Sequence, residues 1–127
     1  MLRCGVDLIE VARVRGALER HGERFQRRVF TPREIEYCAG KAVPWPHYAA
    51  RFAAKEALFK SLLPETLPAF VWREIGVRND DSGAPELELL GDTGRRLAGW
   101  RFSLSLSHVR DLAIAQVVAL PPGGSLS

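Results

Sequence analysis

An α+β fold, an antiparallel sheet packed with one long helix and several short ones, is what this sequence of 127 residues predicts. Three observations carry the prediction. Strand-like and helix-like segments alternate at the start of the chain, whereas its end runs as hairpin-like strand pairs, an order foreign to a doubly wound parallel sheet. Between Pro46 and Pro64 lies HYAARFAAKEALFKSLL, seventeen residues of strong helix formers that would span about 25 Å. In FSLSLS (102–107), Phe102, Leu104 and Leu106 share one face and Ser103, Ser105 and Ser107 the other, so this strand has one buried side.

The elements follow in order. LRCGVDLI (2–9) is apolar and rich in strand formers, and EVARVRGALERHG (10–22) places Val11, Val14 and Leu18 at helical spacing until Gly22. A second short helix fits 23–29. Thr31, Pro32 and Glu34 then supply a helix start: a hydroxyl at the cap, a proline at the first helical position and a glutamate that reaches back from the third. This helix should stop near Gly40. After the long helix come a strand at 71–78, the turn NDDSG (79–83), a strand at 86–90, a short helix near 92–99, and strands at 101–107 and 112–119. Residues 1–120 form one domain on this reading, and PPGGSLS (121–127) a flexible tail.

With 46% hydrophobic and 26% charged residues, the composition excludes disorder and collagen-like repeats. No apolar run approaches the roughly 18 residues of a membrane helix, and Asp7 and Glu10 stand where a signal peptide would be apolar, so a soluble, cytoplasmic protein without a membrane partner is expected. The two cysteines, Cys4 and Cys38, are too few for a disulfide framework and lack metal-ligand spacing; both are expected to be reduced packing residues. Net charge is only +3, but residues 11–33 carry seven arginines against two glutamates, a local excess of five. That stretch suits an acidic partner, whether nucleic acid, membrane surface or protein, or else is a solvated helix face.

Two carboxylates stand in apolar settings. Asp7 is flanked by Gly5, Val6, Leu8 and Ile9, where it needs a partner or serves as a helix cap. Glu56 lies four residues after Phe52 and three before Phe59, on a stripe continued by Leu63, which puts it on the apolar face of the long helix. Lys60, four residues on, could form an ordinary helix pair with it. Two carboxylates brought together inside a protein require a cation. With oxygen ligands and no Cys/His cluster, that cation is expected to be Mg²⁺, which binds one or two carboxylates and fills its octahedron with water and phosphates.

GVDLIEVAR (5–13), FTPRE (30–34), RFAAKEALFKSL (51–62) and SLSHVRDLAIAQVV (105–118) resemble, in order and spacing, the bacterial holo-acyl-carrier-protein synthases, the small 4′-phosphopantetheinyl transferases. WREIGV (72–77) and GAPELEL (83–89) are similar to the family's central strands, so the resemblance covers nearly the whole chain. It implies a phosphopantetheinyl-transferase-like fold and transfer of 4′-phosphopantetheine from coenzyme A to a serine of apo-acyl-carrier protein, leaving adenosine 3′,5′-bisphosphate. It also implies that Asp7 and Glu56 ligate Mg²⁺, that Lys60 contacts the phosphates, and that His108 helps hold the coenzyme. Lys55 would add to the phosphate-binding charge or be solvated, while Arg13 and Arg51 would face the acidic carrier protein. Glu56, directly or through a bound water, is the nearest acceptor for the serine proton. The family is typically a homotrimer with active sites between subunits. One departure stands out: many members follow the lysine helix with a glycine-rich turn that approaches the coenzyme, where this chain has SLLPETLPAF (61–70). The competing readings are a non-catalytic basic binding module, for RNA for example, and a structural oligomeric domain; the leading one involves no nucleic acid.

Overall fold

The computed structural model describes residues 1–124. The chain forms β1 (Arg3–Glu10), α1 (Val11–Val29), α2 (Pro32–Ala39), α3 (Trp45–Ser61), β2 (Ile75–Asn79), β3 (Pro85–Leu89), α4 (Gly91–Arg96), β4 (Arg101–His108) and β5 (Leu112–Leu120). An antiparallel sheet has the order β1-β5-β4, and β2 and β3 pair as a separate antiparallel hairpin. The α+β class and every expected helix and strand are present, with bounds that shift by a few residues.

α3 packs across the inner face of the three-stranded sheet, against β1 and β5. Ala49, Ala50, Ala53, Ala54 and Ala57 are each no more than 2% exposed, so methyl groups alone separate much of the helix from its neighbours. Small side chains permit this short separation. Leu58 and Val117, fully buried beside them, each contribute about 1.5–3 kcal/mol of hydrophobic stabilisation.

The start of α2 has both halves of the expected capping box. The Glu34 amide donates to Thr31 Oγ1 at 3.2 Å, and the Thr31 amide donates to Glu34 Oε1 at 2.9 Å. Gly22 leaves helical geometry, with φ 56° and ψ −140°, a conformation that glycine adopts without a Cβ penalty, so α1 consists of two helices joined across a kink, as expected for 10–22 and 23–29.

Three local expectations are corrected. The strand expected over 71–78 begins only at Ile75, because Trp72–Glu74 make a 3₁₀ turn. The buried ammonium of Lys55 donates to the carbonyls of Trp72 and Ile75 there, so the Trp72 carbonyl is engaged outside any strand pairing. The stripe Phe52, Glu56, Phe59, Leu63 is not the buried face of α3: Phe59 and Leu63 are exposed and Phe52 and Glu56 half-buried, since the sheet meets the alanine side instead. Cys38 is buried and its thiol is pushed up to about 12 by desolvation, but Cys4 is exposed on the outer sheet face rather than packed. Of the predicted tail, residues 121–124 contain a turn in which the Gly124 amide donates to the Pro121 carbonyl at 2.9 Å; residues 125–127 lie outside the described residues.

Candidate active site

Strand alternation sends Gly5, Asp7 and Ile9 toward α3, while Val6 and Leu8 point outward. Asp7 therefore projects from the middle of β1, where its residue pairs with Ala115 of β5. It caps no helix; the residue before α1 is Glu10, which makes no side-chain cap. Lys60 crosses from α3 and donates to Asp7 Oδ1 at 2.9 Å and to the Val6 carbonyl at 3.3 Å. Its ion pair is thus with Asp7 on the neighbouring strand, not along the helix with Glu56.

Asp7, Glu56 and Lys60 line one cavity of about 690 Å³, closed on its other side by Arg13, Arg20 and Phe25 of α1 and by Phe52 of α3. Burial pushes the Glu56 carboxyl above its ordinary range, and the Asp7 charge pushes the same way; Lys60 opposes both. Hydrogen bonding to Asp7 in turn raises the Lys60 ammonium. The Asp7 and Glu56 carboxylates share the cavity wall with Lys60, Arg13 and Arg20, and burial, with the Asp7 charge second, makes Glu56 resist ionising. Among the described residues no third His, Cys, Asp or Glu completes a ligand cluster. A hard dication bound by these two carboxylates would keep positions for phosphate and water oxygens.

The other predicted site residues fall elsewhere. Arg13 lines this cavity and is exposed to solvent. Arg51 is 3% exposed: its guanidinium donates to the His47 carbonyl at 3.4 Å and to Asn79 Oδ1 at 3.3 Å and lies 4.0 Å over the Tyr37 ring. The expectation that Arg51 faces the carrier is therefore corrected, because the helix turns this side chain into the protein. Lys55 is fully buried, donating to Glu34 Oε1 at 2.7 Å and to two backbone carbonyls, so neither reading of it as phosphate-binding or solvated holds. Glu34 Oε2 also accepts from the Val77 amide at 3.0 Å, so the pair ties α2, α3 and β2 together. His108 ends β4 with its ring 5.0 Å from that of His47, away from the Asp7 cavity. Burial and the neighbouring charges of His108, Arg51 and Lys41 hold His47 below its ordinary value.

The arginine-rich stretch is divided by the bend at Gly22. Arg13 and Arg20 face the carboxylate cavity, whereas Arg27 and Arg28 face a second hollow with Phe70, Trp72 and Arg73. Phe25 carries no sequence signal, and Phe52 enters the sequence reading only as part of the apolar stripe; it lies four residues before Glu56, and this spacing places both on the cavity wall.

The site thus sets a β1 carboxylate beside a helix that carries glutamate and lysine four residues apart. Residues 3–117 match the 4′-phosphopantetheinyl transferase superfamily, and the chain belongs to it. Within that superfamily its relatives are holo-[acyl-carrier-protein] synthases: it is 40% identical to that of Desulforudis audaxviator (strain MP104C), with 98% of this chain and 97% of the relative covered. The solved ACPS-CoA complex of Chronobacterium ammoniagenes superposes with a TM-score of 0.78 at 28% identity, covering 94% of this chain and 96% of that one. The holo-(acyl-carrier-protein) synthase of Bacillus anthracis str. Ames in complex with CoA (3′,5′-ADP) gives 0.70 at 32% identity, covering 92% and 94%.

Proposed function

We propose that the cavity between β1 and α3 transfers 4′-phosphopantetheine from coenzyme A to a serine of apo-acyl-carrier protein, giving holo-carrier protein and adenosine 3′,5′-bisphosphate. The observation that carries this reading is the convergence of Asp7, Glu56 and Lys60 on one cavity with arginines at its rim. Asp7 and Glu56 fit Mg²⁺, because two carboxylates on one cavity wall offer hard oxygen ligands to a dication. When bound there, the ion withdraws charge from pyrophosphate oxygens and orients them. Lys60, half-exposed on its outer side, is free to exchange Asp7 for a phosphate oxygen and to stabilise charge developing on the departing phosphate. The raised carboxyl of Glu56 brings it nearer the working pH and so suits it to receive the serine proton. His108, exposed at the end of β4 with its ring 5.0 Å from that of His47, is the residue that helps hold the coenzyme. The transferase domain spans residues 1–120, and a cytoplasmic location fits a coenzyme A substrate. The test is direct: incubation with coenzyme A, Mg²⁺ and apo-carrier should add one phosphopantetheine to the carrier by mass spectrometry, and an unmodified carrier would sink the assignment.

Arg13 at the cavity rim is where the acidic carrier docks. Charge complementarity of this kind chiefly accelerates association and is screened by salt. Arg13→Glu should therefore raise the KM for carrier about tenfold while leaving that for coenzyme A near wild type. Equal changes in both would place Arg13 on the coenzyme instead.

The chain assembles as a homotrimer through the outer face of the three-stranded sheet. Val6 is 52%, Leu8 62%, Leu112 40% and Ile114 38% exposed there, and β-pairing sets Leu8 beside Ile114. Water-facing side chains of this kind favour burial against other copies. Leu8→Asp should convert a trimer to monomers in analytical ultracentrifugation; a wild-type monomer at micromolar concentration would refute the assembly.

A further inference from the structure

We propose that Gly5 is a positioning residue for the transfer site: its missing side chain sets how near α3 lies to β1, and hence the spacing of Asp7 from Glu56 and Lys60. This rests on the functional reading above. A Cβ at Gly5 would fall 2.1 Å from the Ala57 carbonyl oxygen, 2.7 Å from the Ser61 amide nitrogen and 3.1 Å from the Lys60 carbonyl carbon. All three are backbone atoms of α3, so no side chain can turn aside to make room. Carbon and oxygen do not approach so closely without displacement, and reaching even 3.0 Å requires α3 to retreat by about 1 Å.

The place of the contact gives it consequences. Gly5 lies two residues before Asp7 on the same face of β1, about 7 Å along the strand. On α3 the touched atoms belong to Ala57, which follows Glu56, and to Lys60 and Ser61. The gap closed by Gly5 is the gap that the 2.9 Å bond from Lys60 to Asp7 crosses. The Arg3 guanidinium also donates to the Ser61 carbonyl at 2.9 Å, holding the same end of α3 against β1 from the other side of Gly5. A strand residue with any side chain would move both functional groups of the helix together, away from Asp7. Displacement of reacting groups by about 1 Å costs on the order of 10²-fold in rate.

The experiment compares wild type, Gly5→Ala and Ile75→Ala, the last opening a cavity under the distant β2–β3 hairpin as a control for lost stability. Mn²⁺ binding to the protein alone is followed by electron paramagnetic resonance, and turnover is measured with saturating coenzyme A and carrier. Gly5→Ala should weaken Mn²⁺ at least tenfold and lower kcat about 100-fold, with the KM for carrier within threefold. Ile75→Ala, at equal or greater loss of Tm, should keep both Mn²⁺ affinity and kcat. Mn²⁺ affinity within threefold of wild type in Gly5→Ala, or an equal loss in Ile75→Ala, overturns the positioning role. Should Gly5→Ala not fold, Ala57→Ser adds a single atom to the fully buried alanine whose backbone carbonyl meets Gly5, and wild-type Mn²⁺ affinity and kcat in that variant overturn the proposal. Failure of the wild-type protein to bind Mn²⁺ at all would instead count against the two-carboxylate site itself.

Discussion

Asp7→Ala and Glu56→Ala should each reduce phosphopantetheine transfer by more than about 10³-fold and abolish Mn²⁺ binding, while the protein remains folded. Among the described residues these two carboxylates are the only acidic groups on the cavity wall, so losing either leaves one ligand and, at Glu56, no proton acceptor. Folding should survive because neither side chain is in the packed core: both are half-buried at a cavity edge. The sign of the stability effect separates the two roles. A carboxyl whose value is raised on folding binds protons more tightly in the native state, so its stabilisation is full below the unfolded value and is lost as pH rises through the folded one. At neutral pH ionised Glu56 therefore burdens the metal-free protein, and Glu56→Gln should melt no lower than wild type at pH 7 although it transfers nothing. Scanning calorimetry without metal, with the transfer assay alongside, checks both. A variant with more than a tenth of wild-type turnover at saturating Mg²⁺ would remove these residues from the metal site.

The site was legible in sequence wherever a local rule fixes direction. Asp7 interrupts an apolar strand, and a strand offers only two faces, so its departure from pattern pointed to a special position. Glu56 and Lys60, four residues apart, had to share one side of a helix, and Phe52 with them. Which side of that helix meets the sheet was not legible: the helix is rich in both alanine and larger apolar residues, and the aromatic stripe looked the more hydrophobic. The sheet chose the alanines because methyl groups allow the closest approach, as the contact at Gly5 requires. One consequence was the misplacing of Lys55 and Arg51. Lys55 is one residue before Glu56, a turn of about 100° around the axis, and this rotation carries it from the cavity to Glu34. Glu34 itself was readable as a cap, but its bonds to Lys55 and Val77 join residues 21 and 43 positions away. No local pattern reports such pairs. The 3₁₀ turn at Trp72–Glu74 was hidden for the same reason, since it forms around the ammonium of Lys55.

Lys60→Ala should lower kcat by at least 100-fold, with only a small change in melting temperature. Lys60 is 51% exposed and Asp7 14% in the structure, so their pair contributes no more than about 1 kcal/mol to stability after solvent screening. If that were its whole purpose, removing it would lower Tm by a few degrees and leave turnover almost intact. A phosphate role differs because charge develops on the departing group inside a cavity, where a missing cation is felt in the transition state more than in the bound substrates. The loss should accordingly fall on kcat, with the KM for carrier nearly unchanged. A second effect has to be separated from it. Lys60 holds the Glu56 carboxyl down, so its removal lets that value rise further and moves the acid limb of the pH profile to higher pH. Turnover of Lys60→Ala must therefore be compared at the plateau of each enzyme's own profile. If the plateau recovers to near wild type, Lys60 acts only by keeping Glu56 ionised; if the deficit persists above the shifted limb, its ammonium serves the phosphate.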